Sequence, residues 1–149
     1  MPLTLRDFAP DDLASLLDLW AESWSEVYAG IDFNARRPWF TAHIAGWQRD
    51  GGLCRVAVDT QTGALAGFIM IRPGDGLLDQ ICVAADQKGG GAARVLLDEA
   101  RRYAPEGVDL AVNQLNRRAI RFYEREGFLR TGEGVNPNSG LPIFHYRWT

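Results

Sequence analysis

The chain has 149 residues, the usual size of one domain, and an ordinary balance of 46% hydrophobic and 23% charged residues. Its net charge of −3 comes without a basic stripe, which argues against nucleic acid as a partner. No apolar run approaches the ~20 residues of a membrane helix, and the N-terminus lacks the apolar core of a signal peptide. We therefore expect a cytoplasmic protein without membrane contact.

The two cysteines and two histidines carry little evidence for a disulfide or a metal site. Cys54 and Cys82 lie inside apolar strand patterns, which predicts reduced core residues. The chain has no Cys-x-x-Cys spacing, so we expect no bound metal.

The first half of the chain alternates helical and strand patterns. Apolar and polar residues alternate in Leu3–Phe8, which predicts a strand. Two helices follow, one opened by Pro10 and one by Pro38. Their apolar residues recur at three- and four-residue steps: Leu13, Leu16, Leu17, Trp20 and Trp24, then Phe40, Ile44 and Trp47. Three strands come next, with a five-residue hairpin loop between the first two: Leu53–Val58, Ala64–Ile71 and Leu77–Val83.

The second half of the chain continues this mixture. The patterns predict a helix over Ala92–Tyr103, a strand over Val108–Asn113, and a helix from an Asn116 N-cap to about Glu126. Strands are expected at Phe128–Glu133 and Ile143–Trp148, around a polar loop over Gly134–Pro142. The order β-α-α-β-β-β-α-β-α-β-β predicts one α/β domain over residues 1–149. Because hairpins and crossover helices both occur, we expect a mixed central sheet of about seven strands with about four helices.

The most informative stretch is the glycine run between the strand Leu77–Val83 and the following helix. Small residues there leave backbone N–H groups uncovered at a helix N-terminus, which is where a phosphate binds. A Walker A loop is excluded because no lysine and hydroxyl pair follows the glycines. A dinucleotide fingerprint is disfavoured because Arg94 stands where the third glycine should be. A flexible loop without a ligand remains as the alternative.

Val83 to Leu97 resembles the acetyl-CoA-binding motif of the GNAT superfamily of N-acetyltransferases. That motif runs Val-x-Pro-x-x-Arg/Gln-Gly-x-Gly-x-Gly/Ala, with a Leu-Leu pair three positions later. The chain departs from it at Ala85, in place of proline, and at Lys88, which keeps a positive charge without the guanidinium fork. It matches at Val83, Gly89, Gly91, Ala93, Leu96 and Leu97.

A second motif, closer to the C-terminus, supports the same resemblance. Asn116-x-x-Ala119-x-x-Phe122-Tyr123-x-x-x-Gly127-Phe128 is similar to the family signature Asn-x-x-Ala-x-x-Phe/Tyr-Tyr-x-x-x-Gly-Phe. The two motifs cover about a third of the chain, and they occur in the family's order with a strand between them.

The resemblance implies acetyl-CoA as cosubstrate and transfer of its acetyl group to a primary amine, directly within a ternary complex. In this family the strand before the glycine turn separates from its neighbour after it. The backbone of Ile81 and Val83 would then pair with the pantetheine arm. Lys88 and the run Gly89, Gly90, Gly91, Ala92 and Ala93 would lie at the pyrophosphate, with Asn116 on the coenzyme arm.

The same resemblance assigns the catalytic residues. Tyr123 matches the tyrosine that gives a proton to the departing thiolate, although its helix face is also that of a core aromatic. Asp79 is polar within an apolar run and is our candidate for the base that accepts the proton of the amine. Glu22, Glu26, His43 and Asp75 are weaker candidates. Cys82 as an acyl-carrying nucleophile is disfavoured, since a cysteine in a strand is more often inert packing.

The acceptor pocket is expected beside the N-terminal helices, which are rich in aromatic residues. Trp24, Tyr28 and Trp39 lie next to a loop and are the predicted substrate-binding residues, whereas Trp20 and Trp47 read as core. Aromatic faces and nearby carboxylates suit a cationic amine, and we expect a small molecule rather than a protein. The alternative is a non-catalytic acyl-CoA-binding or sensing domain of the same fold. The tryptophan-rich helices or the last strand could pair two copies in a homodimer.

Overall fold

The computed structural model describes residues 2–149 and contains four α-helices and seven strands within them. The helices are α1 Leu13–Val27, α2 Arg37–Arg49, α3 Ala92–Tyr103 and α4 Arg117–Arg125. The strands are β1 Leu3–Asp7, β2 Leu53–Asp59, β3 Leu65–Arg72, β4 Leu77–Val83, β5 Val108–Asn113, β6 Leu129–Val135 and β7 Pro142–Trp148.

All seven strands form one sheet in the order β1-β2-β3-β4-β5-β7-β6. Every neighbouring pair is antiparallel except β4 and β5, which are parallel. The crossover between these two strands contains α3, as a parallel connection requires. The predicted α/β class with a mixed seven-stranded sheet is thus confirmed.

The sheet separates two hydrophobic cores. On one face α1 and α2 pack over it, around Leu16, Trp20 and Phe40. On the other face α3 and α4 pack over it, around Leu96, Leu97 and Tyr123. The central strand β3 is buried on both faces, which explains its nearly unbroken apolar sequence.

Local signals account for the ends of α4. The Asn116 side chain accepts a hydrogen bond from the Ala119 N–H (3.3 Å), which satisfies one of the free donors at the helix start. Gly127 follows the helix with φ 93°, the left-handed conformation that ends many helices. Both features agree with the sequence prediction.

The predicted polar loop near the C-terminus is shorter in the structure. Gly134 and Val135 pair with Ile143 and Pro142, so β6 and β7 extend into the predicted loop, which is reduced to residues 136–141. Cross-strand pairing here outweighs the poor strand propensity of glycine and proline, and Pro142 is tolerated because it is the first residue of β7. Cys54 and Cys82 are free and buried, as expected. No helix within residues 2–149 is both long and apolar enough to cross a membrane.

Candidate active site

The sheet opens between β4 and β5. These strands are paired only at Leu77 and Asp109, and the Asp109 N–H donates to the Gly76 carbonyl (2.8 Å). Each strand keeps its outer partner well beyond that point, β4 with β3 and β5 with β7. The two inner edges therefore diverge and border a cavity of about 720 Å³. The separation that the sequence resemblance implies is present.

The cavity gathers residues from both sequence motifs. The strand β4, the glycine turn, α3, β5 and α4 all contribute to its wall, together with the C-terminal half of α1. Of the residues predicted for the site, it is lined by Trp24, Asp79, Ile81, Val83, Lys88, Gly89, Gly91, Ala93, Asn116 and Tyr123. Gly90 and Ala92 belong to the same turn but do not line it, and Ala92 is fully buried.

The glycine turn presents free backbone donors at the start of α3. Gly89 and Gly91 have φ values of 82° and 88°, and a Cβ added at either would meet no atom within 4 Å. The Gly90 N–H donates to the Gln87 carbonyl (3.2 Å). The N–H groups of Gly89, Gly91, Ala92 and Ala93 have no acceptor within residues 2–149. Such a turn fits an anionic group held by main-chain donors.

Side chains around the turn also fit an anionic, hydrogen-bonding ligand. Within residues 2–149 the buried Gln87 Oε1 faces no donor, although Gln87 lines the cavity. Arg118 and Arg125, one on each side of Phe122 along α4, are exposed at the cavity. Lys88 lies at the turn but forms an ion pair with Glu26 of α1. These groups suit the phosphates and polar arm of a coenzyme A.

A β-bulge in β4 sets the direction of Asp79. Met70 pairs with Gln80 and Ile71 pairs with Leu78, so Asp79 between them is the extra residue of the bulge. Bulges redirect side chains, and here Asp79 and Gln80 both point toward the helices α1 and α2. The Trp24 Nε1 of α1 donates to Gln80 Oε1 (3.0 Å). His43 Nε2 of α2 lies 2.7 Å from Asp79 Oδ2.

Tyr123 of α4 also belongs to the cavity wall. Only 7% of its surface is exposed, and its ring contacts those of Phe122 and Phe128. Burial raises the pKa of its hydroxyl above the ordinary value for tyrosine. The phenol is therefore protonated throughout the neutral range.

Two of the three predicted substrate-binding aromatics lie away from this cavity. Tyr28 is 6% exposed and belongs to the core beside α1, where burial raises the pKa of its hydroxyl despite the nearby Asn113 and Ser139. Trp39 is 44% exposed and stacks on His43, with ring centroids 5.1 Å apart. Trp24 lines the cavity, stacks on Tyr28 and holds Gln80.

The other candidate bases lie outside the cavity wall or are paired, and the candidate nucleophile is protonated. Glu22 and Asp75 do not line the cavity, and Asp75 binds Arg72 across the β3–β4 turn (2.7 Å). Glu26 lines the cavity but is paired with Lys88. Burial raises the pKa of the Cys82 thiol to about 12, so the reactive thiolate is absent at neutral pH.

The sequence pattern gave His43 as a weaker candidate for the base and did not single out Gln80. In the structure His43 contacts Asp79 of the bulge and Gln80 contacts Trp24 of α1. Neither contact leaves a periodic signal in the sequence. The histidine itself was the available clue, since few side chains other than histidine titrate near neutrality.

The separated parallel strands, the glycine turn and the tyrosine of α4 are the features that the sequence resemblance implies for an acyl-CoA-dependent transferase. The family model described as "Acetyltransferase (GNAT) family" matches residues 13–128, which is most of the chain. The chain therefore belongs to the GNAT acetyltransferase family. It is an N-acetyltransferase with acetyl-CoA as its cosubstrate.

Two curated relatives share the name peptidyl-lysine N-acetyltransferase YjaB. The one from Salmonella typhimurium (strain LT2) is 28% identical over 144 residues, 95% of this chain and 94% of that protein. The one from Escherichia coli (strain K12) is 35% identical over 65 residues, so that match spans 44% of each protein.

Solved structures share the fold over nearly the whole chain. The apo form of YjaB from Escherichia coli has a TM-score of 0.79 at 22% identity and covers 100% of this chain and 99% of its own. A PaiA N-acetyltransferase from Thermoplasma acidophilum, in complex with coenzyme A, has a TM-score of 0.76 at 20% identity, with 99% and 100% covered. At these identities the likeness establishes the architecture.

Proposed function

We propose that the chain transfers the acetyl group of acetyl-CoA directly to a primary amine, with both substrates bound together. Asp79 accepts the proton of the amine, and Tyr123 donates to the departing sulfur. The supporting observation is that Asp79 and Tyr123 both line one cavity, which is bordered by the separated strands β4 and β5.

The cosubstrate would lie along the opened edge of β4. The backbone of Ile81 and Val83 would pair with the pantetheine arm as an added strand does, because their other edge already pairs with β3. The free N–H groups of the glycine turn would hold the pyrophosphate, and Asn116 would contact the arm at the start of α4.

The residues then supply what amide formation needs. Acetyl-CoA brings an activated thioester carbonyl. A primary amine is an ammonium ion at neutral pH and must lose a proton before it can attack, and the Asp79 carboxylate would receive that proton. The buried Tyr123 phenol keeps its own proton and donates a hydrogen bond to the sulfur as negative charge develops there.

The acceptor that we propose is a primary amine on an alkyl chain. The sequence favoured a small molecule, whereas the relatives named peptidyl-lysine N-acetyltransferase favour the lysine side chain of a peptide. The two acceptors present the same ammonium group on a flexible apolar chain, so one site chemistry serves both. We propose the peptide lysine as the first acceptor to test.

The test measures thiol release from acetyl-CoA on a panel of amines. The panel contains a lysine peptide blocked at its N-terminus, a peptide with a free N-terminus and no lysine, and small alkyl diamines. We expect release with the lysine peptide, and loss of that release in Asp79→Asn. Tight coenzyme A binding without release on any amine would instead favour the non-catalytic acyl-CoA sensor.

A further inference from the structure

The Asp79 carboxylate has a partner behind it, away from the cavity. His43 does not line the cavity, but its Nε2 lies 2.7 Å from Asp79 Oδ2. Asp79 thus belongs to the cavity wall, while its carboxylate contacts an imidazole that is not part of that wall. The bulge in β4 creates this bridge, because the regular alternation of the strand is broken at Asp79.

The imidazole is held firmly in this position. It is stacked on Trp39 with an interplanar angle of 10°, and it also contacts the ring of Phe40. About a third of its side chain remains exposed, 30% by surface. Its Nδ1 makes no hydrogen bond within residues 2–149. One edge of the ring therefore faces the carboxylate while part of the ring remains open to water.

We propose that Asp79 and His43 act as a single proton-accepting pair, in which His43 carries the proton of the acceptor amine from the carboxylate to solvent. This inference rests on the proposed function and adds a positioning and relay residue to it. The ammonium gives its proton to the pair, and the freed nitrogen forms the new C–N bond. The C–S bond of the thioester breaks, the thiolate leaves with the electron pair, and the proton leaves by way of His43.

A carboxylate alone is poorly matched to this task. Free side-chain carboxylic acids have pKa values of about 4, well below neutral pH. General bases work best with a pKa close to the working pH. The hydrogen bond and charge of Asp79 raise the pKa of His43 above its usual 6.5, so the imidazole accepts a proton near neutrality.

Few other charges act on the pair. Asp79 is the charged side chain that shifts His43. The Arg72 guanidinium of β3 acts on Asp79 from a distance and is itself bound to Asp75. On α2, Arg37 is bound to Asp18 of α1 (2.7 Å). The pKa of His43 is therefore raised chiefly by its contact with Asp79.

The experiment is the pH dependence of kcat, measured by thiol release at saturating acetyl-CoA and lysine peptide. In the unaltered protein we expect kcat to fall as pH drops through the pKa of His43, which is raised above 6.5. In His43→Gln we expect a plateau lower by about tenfold or more, with this acidic limb lost because the imidazole that titrates there is absent. His145→Gln removes the chain's other histidine and should leave the limb in place.

The outcomes separate this inference from the proposed function. A uniform loss of kcat in His43→Gln, with the acidic limb unmoved, would show that His43 only packs and would overturn the relay. Unaltered kcat in Asp79→Asn would instead remove the proposed base itself. Coenzyme A affinity and thermal stability of both variants, measured alongside, show whether the fold and the cosubstrate site are intact.

Discussion

Tyr123 combines an apolar environment with access to the cavity. Its ring belongs to the core formed by α3, α4 and the sheet, while its position on α4 places it in the cavity wall. The core role that its helix face predicts and the catalytic role that the family resemblance implies are therefore compatible. Removing the hydroxyl alone separates them, because the ring that packs is retained.

Tyr123→Phe is expected to lower kcat by about tenfold or more, because the hydrogen bond to the departing sulfur is lost, with little change in acetyl-CoA affinity. Steady-state thiol release and a binding isotherm measure the two effects. Tyr146→Phe is the matched control, since its hydroxyl binds Glu124 (2.8 Å) and its residue is not in the cavity wall. Tyr146→Phe should lower the free energy of unfolding by about 1 kcal/mol and leave kcat unchanged. An unchanged kcat in Tyr123→Phe would remove the tyrosine from the mechanism.

Cys82 shares the cavity wall but is expected to take no covalent part. Its thiol is buried, with a pKa raised to about 12, and so lacks the thiolate that acyl transfer would need. We expect the mass of the protein to stay constant during incubation with acetyl-CoA in the absence of an acceptor. We also expect Cys82→Ala to remain active in thiol release when an acceptor is present. A mass increase of one acetyl group that Cys82→Ala abolishes would demonstrate a covalent relay.

At the scale of elements, the backbone conformation of the turn between β4 and α3 leaves room for a ligand. Gly89 and Gly91 hold a left-handed conformation and leave the space above them open to another molecule. An added methyl group at Gly91 would both strain the turn and occupy the space where a pyrophosphate is proposed to lie.

Gly91→Ala should therefore weaken coenzyme A binding, measured by titration calorimetry, beyond any loss of stability. Gly51 is a suitable control because it also has a positive φ, of 85°, and open space around it, but it lies in the turn between α2 and β2. In both variants an alanine in this left-handed conformation should lower the free energy of unfolding by about 1–2 kcal/mol. Equal coenzyme A affinity in the two variants would contradict a pyrophosphate site at the turn.

Much of this element structure was predictable because its causes are local. The bounds of β4, α3 and β5 follow from apolar periodicity and agree with the structure, as does the cap of α4 at Asn116. The bulge at Asp79 was not predictable, since it arises from pairing with β3. The contact of His43 with Asp79 joins residues 36 positions apart, and no local pattern encodes it.

At the scale of the whole molecule, β4 is paired along its length with β3 on one side and separates from β5 on the other. The outer pairs, β3 with β4 and β5 with β7, keep the two halves rigid, while the parallel pair meets at a single position. A ligand seated in the opening would bridge the halves and bind the folded state alone. It should therefore stabilise the fold by mass action.

Coenzyme A at about 100 times its Kd is expected to stabilise the fold by about 2.7 kcal/mol, which is about 5–10 °C in Tm for a chain of this size. Differential scanning fluorimetry measures the shift. Ala111→Trp provides the control, because Ala111 is an exposed residue of β5 on the cavity wall and a large side chain there should fill the opening. An equal shift in that variant would place the ligand outside the cavity.

The most direct measurement is a crystal structure of the protein with coenzyme A. We predict the pantetheine arm between β4 and β5, with pyrophosphate oxygens within hydrogen-bond distance of the free N–H groups in residues 89–93 and the thiol near Tyr123. Coenzyme A bound at another surface, with the opening between β4 and β5 closed by side chains, would contradict the proposed site and the mechanism built on it.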